Sequence, residues 1–126
     1  MQVEQDKLEL MFHLREDFMR AINDRFECYP SWPIDIANKK NQQILRELAL
    51  KGVEEMFESL QHLKNWKSHK VTEDVEFNRS EFLEEVVDAF NYFFSMLVLV
   101  GVNAEELTEM YQKKDKIIHA RLKSNY

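Results

Sequence analysis

Glu55 and Glu58 stand three residues apart, and Glu85 and Asp88 repeat that spacing. On a helix such a pair stacks about one turn apart along one flank. Carboxylate oxygens are hard ligands and suit hard divalent cations such as Mg²⁺. Two facing helices, each giving two carboxylates, would hold one or two such ions. Read by spacing alone, such a pair is more often a solvated acidic face. Glu85 and Asp88 are harder to dismiss, because they interrupt the most apolar stretch of the chain. A charge there is costly unless it is paired or bound to a metal. Glu54 and Glu84 are neighbours that would substitute for a ligand or support one.

A second group is basic. Lys114 and Arg121 are seven residues apart and share a helix face. They suit either the phosphate tail of a nucleotide or an ordinary solvated surface. Lys64 and Lys67 flank Trp66, whose ring serves as a stacking surface for a base or as a hydrophobic plug. Arg15 falls on an otherwise apolar stripe, where a guanidinium needs a carboxylate or a ligand. His13, His62, His69 and His119 have no zinc-like spacing and read as surface or packing residues. No Gly-rich phosphate loop and no nucleophile elbow is present.

The elements that must position these residues are helical. Pro and Gly number two each, and strand-like alternation is missing from most of the chain. Helix 1 is expected over Asp6 to Phe26, with Leu8, Phe12, Met19, Ile22 and Phe26 as its stripe. Pro30 and Pro33 break the pattern and mark a structured loop. Helix 2 is expected over Lys40 to Leu63, followed by a polar second loop, or lid, from Lys64 to Phe77. Helix 3 begins at the capping box Asn78-x-x-Glu81, extends to about Val100 and ends at Gly101. It is apolar nearly all round, so it should be the central and most buried helix. Helix 4 follows from a second box, Asn103-x-x-Glu106, with Leu107, Tyr111, Lys114, Ile118 and Arg121 in line.

Composition narrows the class. The chain has 126 residues, 44% of them hydrophobic, which fits one folded domain over residues 1–126. The net charge of −6 argues against nucleic-acid and membrane partners, both of them anionic. A nucleotide stays open, since bound cations reverse the local sign. Cys28 is the single cysteine, which fits a reducing cytoplasm. No signal peptide is visible, and the stretch from Phe93 to Val102 is too short to span a bilayer.

In order, the blocks Glu55-Met-Phe-Glu58, Leu63-Lys-Asn-Trp66-Lys67, Glu85-Val-Val-Asp88-Ala-Phe-Asn91 and Tyr111-Gln-Lys-Lys114-Asp115 with Arg121 and Tyr126 carry a resemblance. The chain resembles the all-α nucleoside triphosphate pyrophosphatase superfamily, which includes the MazG proteins, the dimeric-type dUTPases and the phage dCTPases. The likeness runs from about Leu8 to Tyr126. It implies an all-α bundle of four to five helices, completed by oligomerisation. It implies a hydrolase that splits a deoxynucleoside triphosphate into the monophosphate and pyrophosphate. Glu55, Glu58, Glu85 and Asp88 would bind Mg²⁺, with Mn²⁺ as a substitute, and Glu55, Glu58 or Glu85 would orient the attacking water. Lys114 and Arg121 would hold phosphate oxygens, Trp66 and Lys67 would close over the nucleotide, and Asn91 would lie near sugar or base.

Departures from the pattern bear on the base. Arg15 stands where dUTPase-like relatives usually carry glutamine, and Asn91 stands where they often carry histidine. Asp115 and Ile118 replace asparagines of the tail. The resemblance points to dUTP or dCTP. Arg15 points to dGTP, because a guanidinium donates twice to guanine O6 and N7. The alternative class is a catalytically inactive helical dimerisation protein of the same fold. A carboxylate di-iron bundle fits worse, since His62 follows Glu58 by four residues rather than three. The apolar surplus of helix 3 predicts a homodimer or homotetramer, with Lys114 and Arg121 acting across chains.

Overall fold

The computed structural model describes residues 6–70 and 76–124. They form four helices: α1 (Lys7–Phe26), α2 (Lys39–Leu60), α3 (Arg79–Leu99) and α4 (Ala104–Lys123). No strand occurs among the described residues, so the fold class is all-α.

Each helix starts on a side-chain cap. Asp6, Asn38, Asn78 and Asn103 accept from the backbone amides of Glu9, Asn41, Glu81 and Glu106, at 3.1, 3.1, 3.0 and 2.8 Å. These bonds satisfy amides that the first turn leaves without helical partners. After α3, Gly101 turns the chain at φ +81°, and a Cβ there would lie 3.1 Å from Cβ of Pro33. Conformation and crowding both select glycine. Helix α2 stops at Leu60, earlier than its apolar pattern. The amides of Gln61, His62 and Leu63 bond three residues back, to Glu58, Ser59 and Leu60. The last turn thus tightens out of α geometry. Of the expected second loop, residues 64–70 and 76–77 are non-helical, and 71–75 lie outside the described residues.

The chain divides into two compact units. One comprises Met1–Ile34 with Leu97–Tyr126. Here α1 packs on α4, and Phe12, Met19, Val98, Leu99 and Ala104 are buried. The Asn23 side chain clasps the loop by accepting from the Tyr29 amide at 2.7 Å and donating to its carbonyl at 2.9 Å. The Trp32–Pro33 peptide is cis, and the Ile34 amide then donates to the Leu99 carbonyl at 2.8 Å.

The other unit is Asp35–Met96, with α2 and most of α3. Its buried positions include Leu48, Gly52, Ser59, Ala89 and Ser95, mostly small residues. A Cβ on Gly52 would lie 2.9 Å from Cδ1 and Cζ of Phe93, so the missing side chain is what seats that ring. The expectation that α3 is buried all round holds only toward its end. Leu83, Val87 and Phe90 are 47%, 52% and 46% exposed. No single helix among the described residues is long and apolar enough to cross a membrane.

Candidate metal centre

Glu55 and Glu58 project from successive turns of α2, and Glu85 and Asp88 from successive turns of α3. Gly52 meets Phe93, and Glu58 meets Glu85, so the two helices run antiparallel in this unit. The glycine lets α3 come close one turn before the first glutamate. One carboxylate oxygen from each of Glu55, Glu58 and Glu85 lies within 4.8 Å of the others. Glu55 and Glu85 are half-buried, and Glu58 is exposed.

Glu55 and Glu85 hold their protons more tightly than an ordinary glutamate. Loss of water around Glu55 raises its carboxyl above the ordinary value; the Glu58 charge, a hydrogen bond with Glu58 and the charges of Asp88 and Glu85 add to the effect. Glu85 is also raised, first by lost hydration, then by its hydrogen bond with Glu58 and the charges of Glu58 and Asp88. His62 works the other way on Glu85. A hydrogen bond between two carboxyl groups needs a shared proton, and a divalent cation supplies the same relief without one. Among the described residues, no lysine or arginine forms an ion pair with any of the four acids. The donor set is oxygen only, which fits a hard cation.

Asp88 stays outside the group of three, though near enough for its charge to act on Glu55 and Glu85. Glu54 and Glu84 are exposed and outside it too. Asn91 is half-buried on α3, one turn beyond Asp88. Trp66 is 72% exposed, and the Lys67 ammonium sits 5.6 Å from its ring centre. These residues belong to the carboxylate unit. Arg15, Lys114 and Arg121 belong to the other. Arg15 is half-buried with its guanidinium 4.7 Å from the Phe18 ring centre, while Lys114 and Arg121 are exposed on α4.

His62, which spacing set aside as a surface or packing residue, lies beside this group. It is half-buried and close enough to Glu85 to oppose the carboxylate charges. Its one signal was its place four residues after Glu58, one turn along the same face.

No family model, no curated protein and no solved structure matches this chain.

Proposed function

We propose that the protein is a Mg²⁺-dependent hydrolase that opens the bond between the α and β phosphates of a deoxynucleoside triphosphate, giving the monophosphate and pyrophosphate. The carrying observation is that Glu55, Glu58 and Glu85, from two helices, bring oxygens within 4.8 Å of one another, with no lysine or arginine among the described residues ion-paired to them. Those three would hold the ion, with Asp88 beside them. When bound, Mg²⁺ neutralises phosphate charge and lowers the pKa of water.

The rest is work for this chain's own side chains. A glutamate of the group orients the attacking water by accepting its hydrogen bond. Trp66 and Lys67 offer an aromatic face and an ammonium to base and phosphate, and their exposure leaves them free to do so. Asn91, one turn from Asp88, offers an amide to sugar or base. By the resemblance, Lys114 and Arg121 would supply phosphate contacts from a second copy of the chain, and Arg15 would read the base. The purine substrate dGTP follows from Arg15, and dUTP or dCTP from the resemblance.

The same reading includes a homodimer or homotetramer. Val53, Phe57 and Leu60 of α2 are 43%, 64% and 47% exposed, and Leu83, Val87 and Phe90 of α3 are exposed alongside. In the antiparallel register Val53 levels with Phe90, Phe57 with Val87, and Leu60 with Leu83. The two stripes therefore form one apolar face, which a second copy would cover.

The test is pyrophosphate release with Mg²⁺ across the common ribo- and deoxynucleoside triphosphates and dUTP. Release that disappears with EDTA and in Glu58→Gln is expected. Inertness toward every substrate would leave the inactive dimerisation module in its place.

A further inference from the structure

A small cavity lies between the end of α2 and the start of α3, inside the unit that carries the carboxylates. It measures about 220 Å³ and is lined by His62, Leu63, Lys64, Asn65, Glu76 and Phe77. Local bonds fix both of its sides. The amides of His62 and Leu63 donate to Ser59 and Leu60 in the turn that closes α2, at 3.2 and 3.0 Å. Phe77 immediately precedes the cap Asn78 and packs on Phe82, with ring centres 5.4 Å apart. That pair is a hydrophobic staple at a helix start, which accounts for the contact with Phe82. It does not account for the cavity at the side of Phe77, a residue still 44% exposed.

Sites for whole small molecules hold about 300–1,000 Å³, so this one takes part of a ligand. Its lining decides which part. A phosphate would meet the Glu76 carboxylate and the apolar walls of Leu63 and Phe77. A hard cation would find one carboxylate only. A flat heterocycle suits apolar walls with polar groups at its edge. Lys64 donates, ionised Glu76 accepts, and Asn65 does both. Lys64 and Glu76 form no ion pair, among the described residues, so both charges stay available. Among the bases, guanine sets two N–H donors side by side, at N1 and N2, and one carboxylate accepts from both. Its O6, next to them, accepts from Lys64 or Asn65. Uracil and thymine flank their one ring N–H with two carbonyls, which a carboxylate repels. Adenine and cytosine set one amino group beside a ring acceptor, so a carboxylate gains a single bond.

We propose that this cavity is the base subsite of the nucleotide, and that Glu76 selects guanine there by accepting from N1 and N2. The proposal rests on the nucleotide reading of the carboxylate group and names the base for it. His62 links the two places. It lines the cavity, and it lies near enough to Glu85 to oppose the carboxylate charges there. Holding N1 and N2 leaves N7 and a lone pair of O6 free, the edge that a guanidinium reads.

The experiment is nucleotide binding by the full chain with Mg²⁺, using monophosphates, which have no pyrophosphate to lose. The probes are dGMP, dIMP (the same base without its 2-amino group), dCMP and dUMP. Each is titrated calorimetrically into the parent, Glu76→Ala and Phe77→Ala. Glu76 is exposed, so its removal disturbs no core. The parent should bind dGMP roughly 10- to 150-fold more tightly than dIMP, the span for a hydrogen bond to a charged group. Glu76→Ala should erase that difference, and Phe77→Ala should weaken all four probes alike. Equal binding of dGMP and dIMP, or a preference that survives Glu76→Ala, would overturn the subsite and leave the metal reading standing. Binding of none of the probes would overturn it too. A guanine preference lost in Glu76→Ala, in a chain that releases no pyrophosphate from dGTP, would keep the subsite and sink the hydrolase.

Discussion

Gly52 of α2 faces the ring of Phe93 on α3, and any Cβ at residue 52 would lie 2.9 Å from two of its carbons. This contact sits one turn before Glu55 and sets how near the two carboxylate-bearing turns approach. Gly52→Ala should lower stability by about 1–3 kcal/mol, the usual cost of overpacking a tight site. It should also weaken the response to Mg²⁺, because the pairs move apart. Thermal melts with and without Mg²⁺ check both. A variant as stable as the parent, with an unchanged metal response, would sink the argument.

The carboxylate group predicts how the metal-free chain responds to pH. Glu55 and Glu85 both hold protons more tightly in the folded chain than at the ordinary value of 4.5. Folding therefore takes up protons as these groups titrate. Their contribution is fully present below about pH 4.5 and is lost as pH rises through the raised values. In EDTA, Glu55→Gln should flatten this fall and melt higher than the parent at neutral pH. Melting curves across the acid-to-neutral range decide it, and identical slopes would count against the cluster.

Added Mg²⁺ should reverse the penalty. An ion bound only by the folded chain adds about 2.7 kcal/mol at a hundred times its dissociation constant. Glu58→Gln, which removes the carboxylate that lies within 4.8 Å of both other glutamates, should abolish the rise in melting temperature. The same change should cut pyrophosphate release by roughly 100-fold, and Asp88→Asn by about 10-fold, within the span seen for residues that hold or support a metal.

Base preference is expected to follow Arg15. A good two-pronged contact to a base discriminates by about 1–3 kcal/mol. Arg15→Gln should therefore shift the ratio of dUTP to dGTP turnover in favour of dUTP by a factor of about 5 to 150. Competition assays with both substrates measure that ratio. An unchanged ratio would place base reading elsewhere.

The apolar face of α2 and α3 makes a separate prediction about assembly. Phe57→Lys with Val87→Lys puts charges onto two exposed, level positions and removes no buried side chain. Light scattering should show a smaller particle, with helix content by circular dichroism unchanged. An unaltered mass would free that face of an assembly role.

How much of this was legible in the sequence depends on range. The helices and their starts were written in local chemistry: Asn78 and Asn103 cap where the Asn-x-x-Glu pattern put them, and Gly101 turns the chain after α3. Such signals act over a few residues and need no neighbour. The pairing of carboxylates within each helix was equally local. That Glu55, Glu58 and Glu85 converge while Asp88 falls outside was decided between helices, by Gly52 and the register it allows. Spacing along one helix cannot report the rotation of another against it. His62 was set aside as a surface or packing residue for the same reason, since its effect on Glu85 crosses from the end of α2 to α3. The exposure of Leu83, Val87 and Phe90 was hidden too: a helix apolar all round announces that its faces will be covered, and only the packing of the chain tells which it leaves for another molecule.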